Sequence, residues 1–414
     1  MRDTLRSVSS VGRTSVGGER AEIALSCDDL EPFFDDRHRA LATTLRDVLP
    51  QGLGHGAAGR DDVSIVARAM GAPFGLYAHV VPEAFGGAAM GREHDGAYID
   101  VRGLCLIREA LGQIHPTADS IFAVQGLGSY PIALAGSDAL RRTMLPEVVS
   151  GVRIAAFALT EPEAGSDIAS MRTTATRDDD GWKLDGDKIY ISNVGIADHY
   201  VVFANADPSL GKKGISAFVV PKEAAGLVLE AIPLSMAHPL GRLRMTGCRI
   251  AGDMRLGEIG DGLSIALRTL DAFRITVGAA ANGMARRAID LAVAHVKKRV
   301  QFGAPLADLQ QVQAMIADMA TELDASRLLV ARAAWARDRS AGTATRTTTE
   351  AAMAKMFATE SAQRIVDRAL QLHGGSGIEG DSEIWHLYQE VRPLRIYEGA
   401  TEVQKVVIAR ALLK

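Results

Sequence analysis

The carboxylate of Glu398 is the first group whose setting suggests chemistry. It stands in the string RIYEGATEVQ, residues 395–404, after two bulky side chains and directly before Gly399. A carboxylate kept from water gains proton affinity, which suits it to remove a proton from a substrate. A solvated loop carboxylate or a helix-capping group would give the same string, and taken alone the string favours one of these two structural roles.

The string FALTEPEAGSD, residues 157–167, leads from a strand into a polar loop that Pro162 and Gly165 shape. A ligand would find hydroxyls and carboxylates in this loop at Thr160, Glu161, Glu163, Ser166 and Asp167. A strand-end loop held by its own Asx-type and Ser/Thr hydrogen bonds explains the same residue types.

The string KIYISN, residues 188–193, pairs an aromatic ring with a hydroxyl. Tyr190 and Ser192 are two residues apart and are expected to share one face of a strand. A flat cofactor would need both groups, a ring to pack against and a donor at its edge. An ordinary sheet face is the alternative interpretation.

Two further strings offer contacts for phosphate. In KKRVQFG, residues 297–303, Arg299 could hold a phosphate through its planar fork, or the three cations could simply oppose a helix dipole. In QLHGGSGIEG, residues 371–380, the glycines allow close approach of the backbone to a phosphate or ribose, or they form a helix C-cap.

Residues 54–59, GHGAAG, match the dinucleotide-binding pattern GxGxxG. That pattern binds a pyrophosphate only where a strand precedes it and a helix opens on it. Here the preceding TLRDVLPQ favours a helix that ends at Pro50, and no βαβ unit follows. We interpret the segment as a flexible glycine loop.

The composition is that of a globular enzyme with two or three domains. The 414 residues are 47% hydrophobic and carry a net charge of −4, without the basic excess of a nucleic-acid-binding protein. Cys27, Cys105 and Cys248 form no CxxC pair, so no disulfide framework or metal site is expected, and a cytoplasmic location fits. No apolar run of about 18 residues predicts a membrane span.

The predicted elements divide the chain into a tail and three folded stretches. We expect residues 1–27 to form a disordered tail rather than a transit peptide, because Asp3 and Glu19 interrupt the segment. Helices broken by Gly and Pro are predicted for residues 28–152, short strands for 153–257 and long helices for 258–414.

More local patterns place individual elements. Helices are predicted over residues 35–48, 98–111 and 350–372, with another from Thr401 and a linker at 340–349. Strands are predicted at 154–159, 188–192, 200–204 and 215–220, with turns at 180–181, 185–186 and 211–214. The sheet is expected to be antiparallel.

Jointly, and in this order, the strings resemble the acyl-CoA dehydrogenase family from about residue 30 to residue 412. ALTEPEAGSDIAS matches its first signature. QLHGGSGIEGDSEIWHLYQE matches the second, with His386 in place of the usual Lys or Arg. KRVQFGAPLADLQQVQAMIADMA matches the helix-turn-helix that binds the flavin dinucleotide of a neighbouring subunit.

The resemblance implies an α+β fold with an N-terminal α-helical domain, a central antiparallel β-barrel domain and a C-terminal four-helix bundle. It also implies one FAD per subunit, in a homotetramer or dimer. Contacts to the flavin carry over to Phe157, Leu159, Thr160, Tyr190, Ser192 and Ala400. Contacts to the adenosine and pyrophosphate across the subunit interface carry over to Arg299, Phe302, Gln371, Gly374 and Gly375. Substrate contacts carry over to Ser166, Asp271 and Arg274.

Glu398 falls on the family's usual catalytic base. Some members place the base just before the arginine equivalent to Arg274, but Phe273 occupies that position here. Three mild departures affect the flavin surroundings: Tyr190 replaces the common Trp, Ser192 the common Thr, and Ala400 a frequent Thr.

The implied activity is dehydrogenation of an acyl-CoA to the trans-2-enoyl thioester, with electrons passed to an electron-transfer flavoprotein. A carrier-protein thioester as substrate and an oxygen-using oxidase remain alternatives. A flavin monooxygenase would have no use for Glu398, and a DNA-associated scaffold fits neither the negative charge nor an intact base. The acyl group is not predicted.

Overall fold

The computed structural model describes residues 23–53, 62–88, 99–341 and 346–414. The glycine segment 54–59 lies outside these ranges. The described chain runs from helices through a sheet into long helices, so the expected order of elements is confirmed.

Within residues 23–53, 62–88 and 99–152 there are five α-helices, and each begins at a recognisable cap. Asp35 caps the first through a capping box with His38, and Ser137 caps the fifth. Their bounds are α1 Asp36–Gly52, α2 Val63–Ala69, α3 Val101–Ile114, α4 Pro116–Ala135 and α5 Asp138–Ser150.

Two expectations for this stretch are wrong. The first helix continues past Pro50 to Gly52, because the proline ring removes one hydrogen bond without preventing another half-turn. Residues 23–27, expected in the disordered tail, are packed: Ile23 and Leu25 are buried. Their alternating apolar side chains give the segment a face to bury.

The middle stretch folds into one eight-stranded sheet. The strands are β1 Ala155–Ala158, β2 Thr174–Asp178, β3 Gly181–Ser192, β4 His199–Asn205, β5 Ile215–Pro221, β6 Leu227–Ala231, β7 Leu240–Ala251 and β8 Arg255–Leu256. Their order is β6-β7-β3-β2-β4-β5-β8, and β1 pairs with β4. Strands β6 and β8 are the two edge strands of the sheet, because each pairs with a neighbour on one side only.

The predicted sheet differs from the observed one in two places. Strand β1 pairs with β4 in parallel, as does one residue of β2, so the all-antiparallel expectation is wrong there. The long excursion between β1 and β4 permits this parallel pairing, which a short hairpin could not. The predicted turn at residues 185–186 is a bulge inside β3, where Gly186 lies beside Thr173 with φ of +149°.

The last stretch is built on three long helices that pack on one another. The elements are α6 Gly262–Lys298, β9 Val300–Gln301, β10 Ala304–Pro305, α7 Gln310–Ser340, α8 Thr348–His373, α9 Glu383–Val391 and α10 Thr401–Leu412. Alanines and glycines on α6 and alanines on α8 let the two helices approach closely, and α10 packs on α8.

Buried ion pairs fix the first helices to the last. Arg327 of α7 donates to Glu109 of α3 at 2.8 Å, and Asp338 accepts from Arg102 at 2.8 Å. Within the described ranges, no helix is long and apolar enough to cross a membrane. The fold thus brings α4, the sheet and α6 around a common space.

Candidate active site

A large cavity opens between the sheet and the helices. Its walls come from α4, the ends of β1 and β3, the first half of α6 and the turn before α10. Its volume is ≈ 1990 Å³, whereas a small-molecule site usually encloses about 300–1,000 Å³. The cavity therefore has room for an extended substrate and a second ligand.

Glu398 projects into this cavity from the turn before α10. Its Oε2 atom is buried and has no hydrogen-bond partner among the described residues. Burial raises the pKa of Glu398 above its usual value, against the opposing effect of Arg108, Arg274 and Lys355. A carboxylate with raised proton affinity and one buried oxygen that no described residue contacts by a hydrogen bond is suited to accept a proton.

The backbone around Glu398 is held in a left-handed conformation. Its φ is +51°, and that of Gly399 is +95°, a combination that the surrounding structure must stabilise. Arg274 donates from Nε to the carbonyl of Glu398 at 3.1 Å. Lys355 and Gln404 donate to the carbonyl of Gly399 at 2.8 and 3.0 Å. These three side chains fix the direction of the carboxylate.

The backbone N–H of Glu398 is a further polar group of this turn. Within the part of the chain that the structure describes, the backbone hydrogen bonds of the turn begin at Ile396 and Tyr397 and do not include this N–H. A free N–H beside a carboxylate base can receive an oxygen atom of a ligand.

A second group of charges lies beneath the cavity. Arg108 and Asp119 are both 1% exposed and form a bidentate pair with both contacts at 2.8 Å. Burial, with a contribution from Asp119, raises the pKa of Glu390 to about 7. Glu390 also lines the cavity, so a second carboxyl group there is partly protonated near neutral pH.

The residues expected against the flavin and the thioester line the same cavity. They are Phe157, Leu159, Thr160, Ser166, Tyr190, Ser192, Asp271, Arg274 and Ala400. The structure thus brings together in one place residues that lie up to 243 positions apart along the chain, from 157 to 400.

Tyr190 and Ser192 reach the cavity in a different way from the one expected. The pairing of β3 with β7 shifts register between Lys188 and Ile191, and Tyr190 has φ of +56°. A bulge therefore re-aims the side chains, and simple strand alternation does not explain their direction. The ring of Tyr190 is 63% exposed, which leaves it open for a ligand to pack on.

Asp271 and Arg274 lie one turn apart on α6. Arg274 Nη1 donates to Asp271 Oδ1 at 2.9 Å, while its Nε holds the Glu398 carbonyl. Asp271 thus orients the arginine, and both residues connect α6 to the turn that carries the carboxylate.

The residues expected to hold the adenosine and pyrophosphate form a separate group. They do not line the cavity of their own chain, and all are exposed: Arg299, Phe302, Gln371, Gly374 and Gly375. The rings of His295 and His373 lie 4.5 Å apart, so α6 and α8 end side by side there. Phe302 is 95% exposed with φ of +54°.

Glu161 and Glu163, the other carboxylates near the site, have structural partners. Glu161 accepts from Lys188 at 2.7 Å and from Thr173 N at 3.0 Å. Burial opposes its ionisation, but Lys188 and the hydrogen bonds outweigh burial and lower the pKa of Glu161. Glu163 forms an exposed ion pair with Arg172. Neither resembles a free base.

Several cavity residues carried no signal in the sequence. Ser120 and His238 line the cavity, yet neither belongs to a motif singled out above, and Glu390, which also lines it, ends the second signature without having been given a role there. Lys355 and Arg108 lie inside helices, where a cation usually faces solvent. Only the folded chain brings these residues next to Glu398, Ser192 and Asp119.

Sequence profiles match nearly all of the described chain in three parts. The N-terminal domain of acyl-CoA dehydrogenases matches residues 35–152, the middle domain 156–248 and the C-terminal domain 260–413. The chain belongs to the acyl-CoA dehydrogenase family. The implied order of a helical N-terminal domain, a middle sheet domain and a helical C-terminal domain is thereby confirmed.

Individual relatives of the family support this. The mitochondrial short-chain specific acyl-CoA dehydrogenase of Homo sapiens is 37% identical over 387 residues, 92% of this chain and 90% of that protein. Subunit CarC of the caffeyl-CoA reductase-Etf complex of Acetobacterium woodii is 35% identical over 354 residues, 83% of this chain and 88% of that protein.

A solved structure agrees in fold. Butyryl-CoA dehydrogenase from Megasphaera elsdenii has a TM-score of 0.82 and 31% identity to this chain, and the match covers 92% of this chain and 99% of that one. Relatives in this family are oxidoreductases that act on CH–CH bonds. The cavity with its unpaired carboxylate is consistent with that chemistry.

Proposed function

We propose that the protein catalyses FAD-dependent α,β-dehydrogenation of an acyl-CoA to the trans-2-enoyl thioester, with Glu398 as the base. The observation that carries the proposal is the Oε2 atom of Glu398, which is buried and has no hydrogen-bond partner in the part of the chain that the structure describes. Such an atom costs free energy unless a ligand contacts it, because it has lost its water without gaining a partner.

Glu398 removes the proton from the α-carbon of the bound thioester. Its raised pKa strengthens it as a base near neutral pH. Protonation leaves a neutral carboxylic acid, which burial favours over the carboxylate. Arg274, Lys355 and Gln404 keep the turn in place throughout, because they bind its backbone carbonyls.

The backbone N–H of Glu398 binds the thioester carbonyl oxygen as negative charge develops there. A donor already in position for that charge requires no reorganisation at the moment of reaction. The adjacent Gly399, with φ of +95°, allows the turn to present N–H and carboxylate to one ligand.

The described residues fit a flavin in the same cavity. Tyr190 offers an exposed ring, and Ser192 offers a hydroxyl beside it. Bound FAD supplies the two-electron acceptor for the hydride that leaves the β-carbon. The cavity volume of ≈ 1990 Å³ accommodates a cofactor together with an acyl thioester.

The adenosine half of FAD is held by a second subunit in a homotetramer or dimer. The exposed group around Arg299, Phe302 and Gln371 lies outside the cavity of its own chain. Phe302 is 95% exposed, so its ring is free to contact a ligand or a partner subunit.

Electrons pass from the enzyme to an electron-transfer flavoprotein. The name of the Acetobacterium woodii relative includes an Etf complex, which supports such a partner here. That relative is also named a reductase, and this favours a second candidate function, reduction of an enoyl thioester. By microscopic reversibility Glu398 would then deliver the proton to the α-carbon.

A single preparation tests the proposal. The purified protein should be yellow, with about one FAD per chain, and acyl-CoAs of graded length and branching should reduce an artificial acceptor. Comparing the rates with the best acyl group attached to CoA and to a carrier protein tests the carrier-protein alternative. Assaying hydrogen peroxide formed in air tests the oxidase alternative. A colourless protein that FAD cannot reconstitute would contradict the proposal.

A further inference from the structure

A histidine on the cavity wall joins two serines from distant parts of the chain. His238 Nδ1 lies 2.6 Å from Ser120 Oγ, and His238 Nε2 lies 2.7 Å from Ser192 Oγ. Ser120 belongs to α4, Ser192 ends β3, and His238 lies in the loop between β6 and β7. All three residues line the cavity.

The imidazole of His238 is uncharged at neutral pH. Burial lowers the pKa of His238 to about 4, and among the described residues its hydrogen-bond partners are the two serines, with no carboxylate. A neutral imidazole carries one N–H and one acceptor nitrogen. It must therefore donate to one serine and accept from the other.

This requirement couples the two hydroxyl groups. If Nε2 carries the proton and donates to Ser192, the Ser192 hydroxyl is free to donate into the cavity, and Ser120 donates to Nδ1. If Nδ1 carries the proton, Ser192 donates to Nε2 and presents lone pairs to the cavity. The imidazole tautomer thus sets what Ser192 offers to a ligand.

We infer that His238 is a positioning residue that orients the Ser192 hydroxyl toward the edge of the bound flavin. The inference rests on the proposed function, since Ser192 contacts the cofactor in that proposal. A flavin edge nitrogen accepts a hydrogen bond in the oxidised ring and donates one in the reduced ring. A hydroxyl whose direction is set by a switchable imidazole can serve both states.

A purely mechanical role for His238 makes a different prediction. If the ring served only as a filler, occupying space between α4 and the sheet, its volume alone would matter. His238→Asn and His238→Gln would then have equal effects. If His238 instead orients Ser192 through its hydrogen bonds, a role that we call the relay, the effect of a substitution depends on which ring nitrogen the new side chain replaces. A glutamine amide reaches the position of Nε2, beside Ser192, whereas an asparagine amide reaches only the position of Nδ1, beside Ser120.

The test compares four substitutions at these positions by FAD titration of the apoprotein. Ser192→Ala should raise the FAD dissociation constant by about threefold to tenfold, the factor that one net hydrogen bond contributes. His238→Leu and His238→Asn should raise it by about threefold or more, and His238→Gln by less than about twofold. Ser150→Ala removes a hydroxyl that donates within α5, to the carbonyl of Glu147, and should have no effect.

The double variant decides between relay and filler. His238→Leu should add nothing in the Ser192→Ala background, because the hydroxyl that it orients is gone. Equal effects of His238→Asn and His238→Gln, or an undiminished effect of His238→Leu in that background, would overturn the inference.

A spectroscopic measurement keeps the inference testable if FAD does not bind. Solid-state NMR of the apoprotein labelled with ¹⁵N-histidine should show a neutral His238 at pH 7, assigned by its loss in His238→Gln. Its tautomer ratio should change in both Ser120→Ala and Ser192→Ala. A protonated ring, or a ratio indifferent to both serines, would refute the relay, whereas failed FAD binding alone would refute the proposed function.

Discussion

Glu161→Gln and Glu163→Gln make the same chemical change two residues apart in one loop. The structure predicts that they lower the free energy of unfolding by very different amounts. Glu161 is 5% exposed, and its partner Lys188 is fully buried at 0%. Glu163 and its partner Arg172 are 64% and 75% exposed. The second variant is therefore a matched control for the first.

The loss of stability in Glu161→Gln follows from the buried groups that the carboxylate no longer neutralises or accepts from. The ammonium of Lys188 loses its counter-charge and keeps only neutral acceptors, which are the carbonyl of Leu159 at 3.2 Å and, in one orientation of the new amide, the amide oxygen. The new amide also turns an N–H₂ group toward either Thr173 N or Arg172 N, which now donate to the carboxylate. Breaking a buried pair costs about 3–5 kcal/mol, and an exposed pair contributes at most about 1 kcal/mol.

Denaturant unfolding followed by circular dichroism measures both variants. FAD must be at one fixed concentration, since a ligand bound to the folded state adds stability. At pH 7 we expect Glu161→Gln to lose about 3 kcal/mol or more of unfolding free energy and Glu163→Gln to stay within about 1 kcal/mol of the wild type.

The pH dependence gives an independent check. Because the pKa of Glu161 is lowered from its usual 4.5 in the folded protein, its stabilisation is fully present above that value. It is lost as the pH falls through the folded pKa. The difference between wild type and Glu161→Gln should therefore shrink in acid. Equal losses for the two variants, or a pH-independent difference, would refute the reasoning.

Two further variants test the charges around the site. Arg299→Ala should lower FAD content and shift the protein to smaller oligomers in light scattering, while Lys297→Ala, a neighbouring exposed cation, should do neither; a monomer with full FAD content would contradict the interface. Lys355→Met removes a positive charge that lowers the pKa of Glu398, so the acid limb of the kcat/KM profile should move to higher pH. Lys405→Met, on the exposed face of α10, should leave that limb unchanged. A shift of the limb to lower pH in Lys355→Met would contradict the expected effect of Lys355 on the pKa of Glu398.

Local patterns in the sequence predicted the elements that carry their own signals. The strand β1, predicted at residues 154–159, and the long helices were recognisable, because an alternating or helical apolar face shows in the pattern of neighbouring residues. The strand β7 was missed although Leu243 and Met245 alternate with arginines. The break in phase at Gly247, with φ of +55°, hides that alternation.

Contacts between distant parts of the chain could not be predicted. The hydrogen bond between His238 and Ser120 joins residues 118 positions apart, and the one between Lys355 and Gly399 joins residues 44 positions apart. Whether a polar side chain is paired depends on such contacts, and so does its pKa. Glu161 and Glu398 look alike in the sequence, yet folding leaves one fully paired and the other with a free oxygen.

Anaerobic reduction of the bound flavin by a saturating acyl-CoA tests the central claim most directly. Glu398→Gln keeps the size of the side chain and should retain FAD, but it cannot accept the α-proton, so reduction should slow by about 10²–10⁴-fold. Glu402→Gln, an exposed carboxylate on α10, should reduce its flavin at the wild-type rate. Reduction in Glu398→Gln as fast as in the wild type would contradict the assignment of Glu398 as the base.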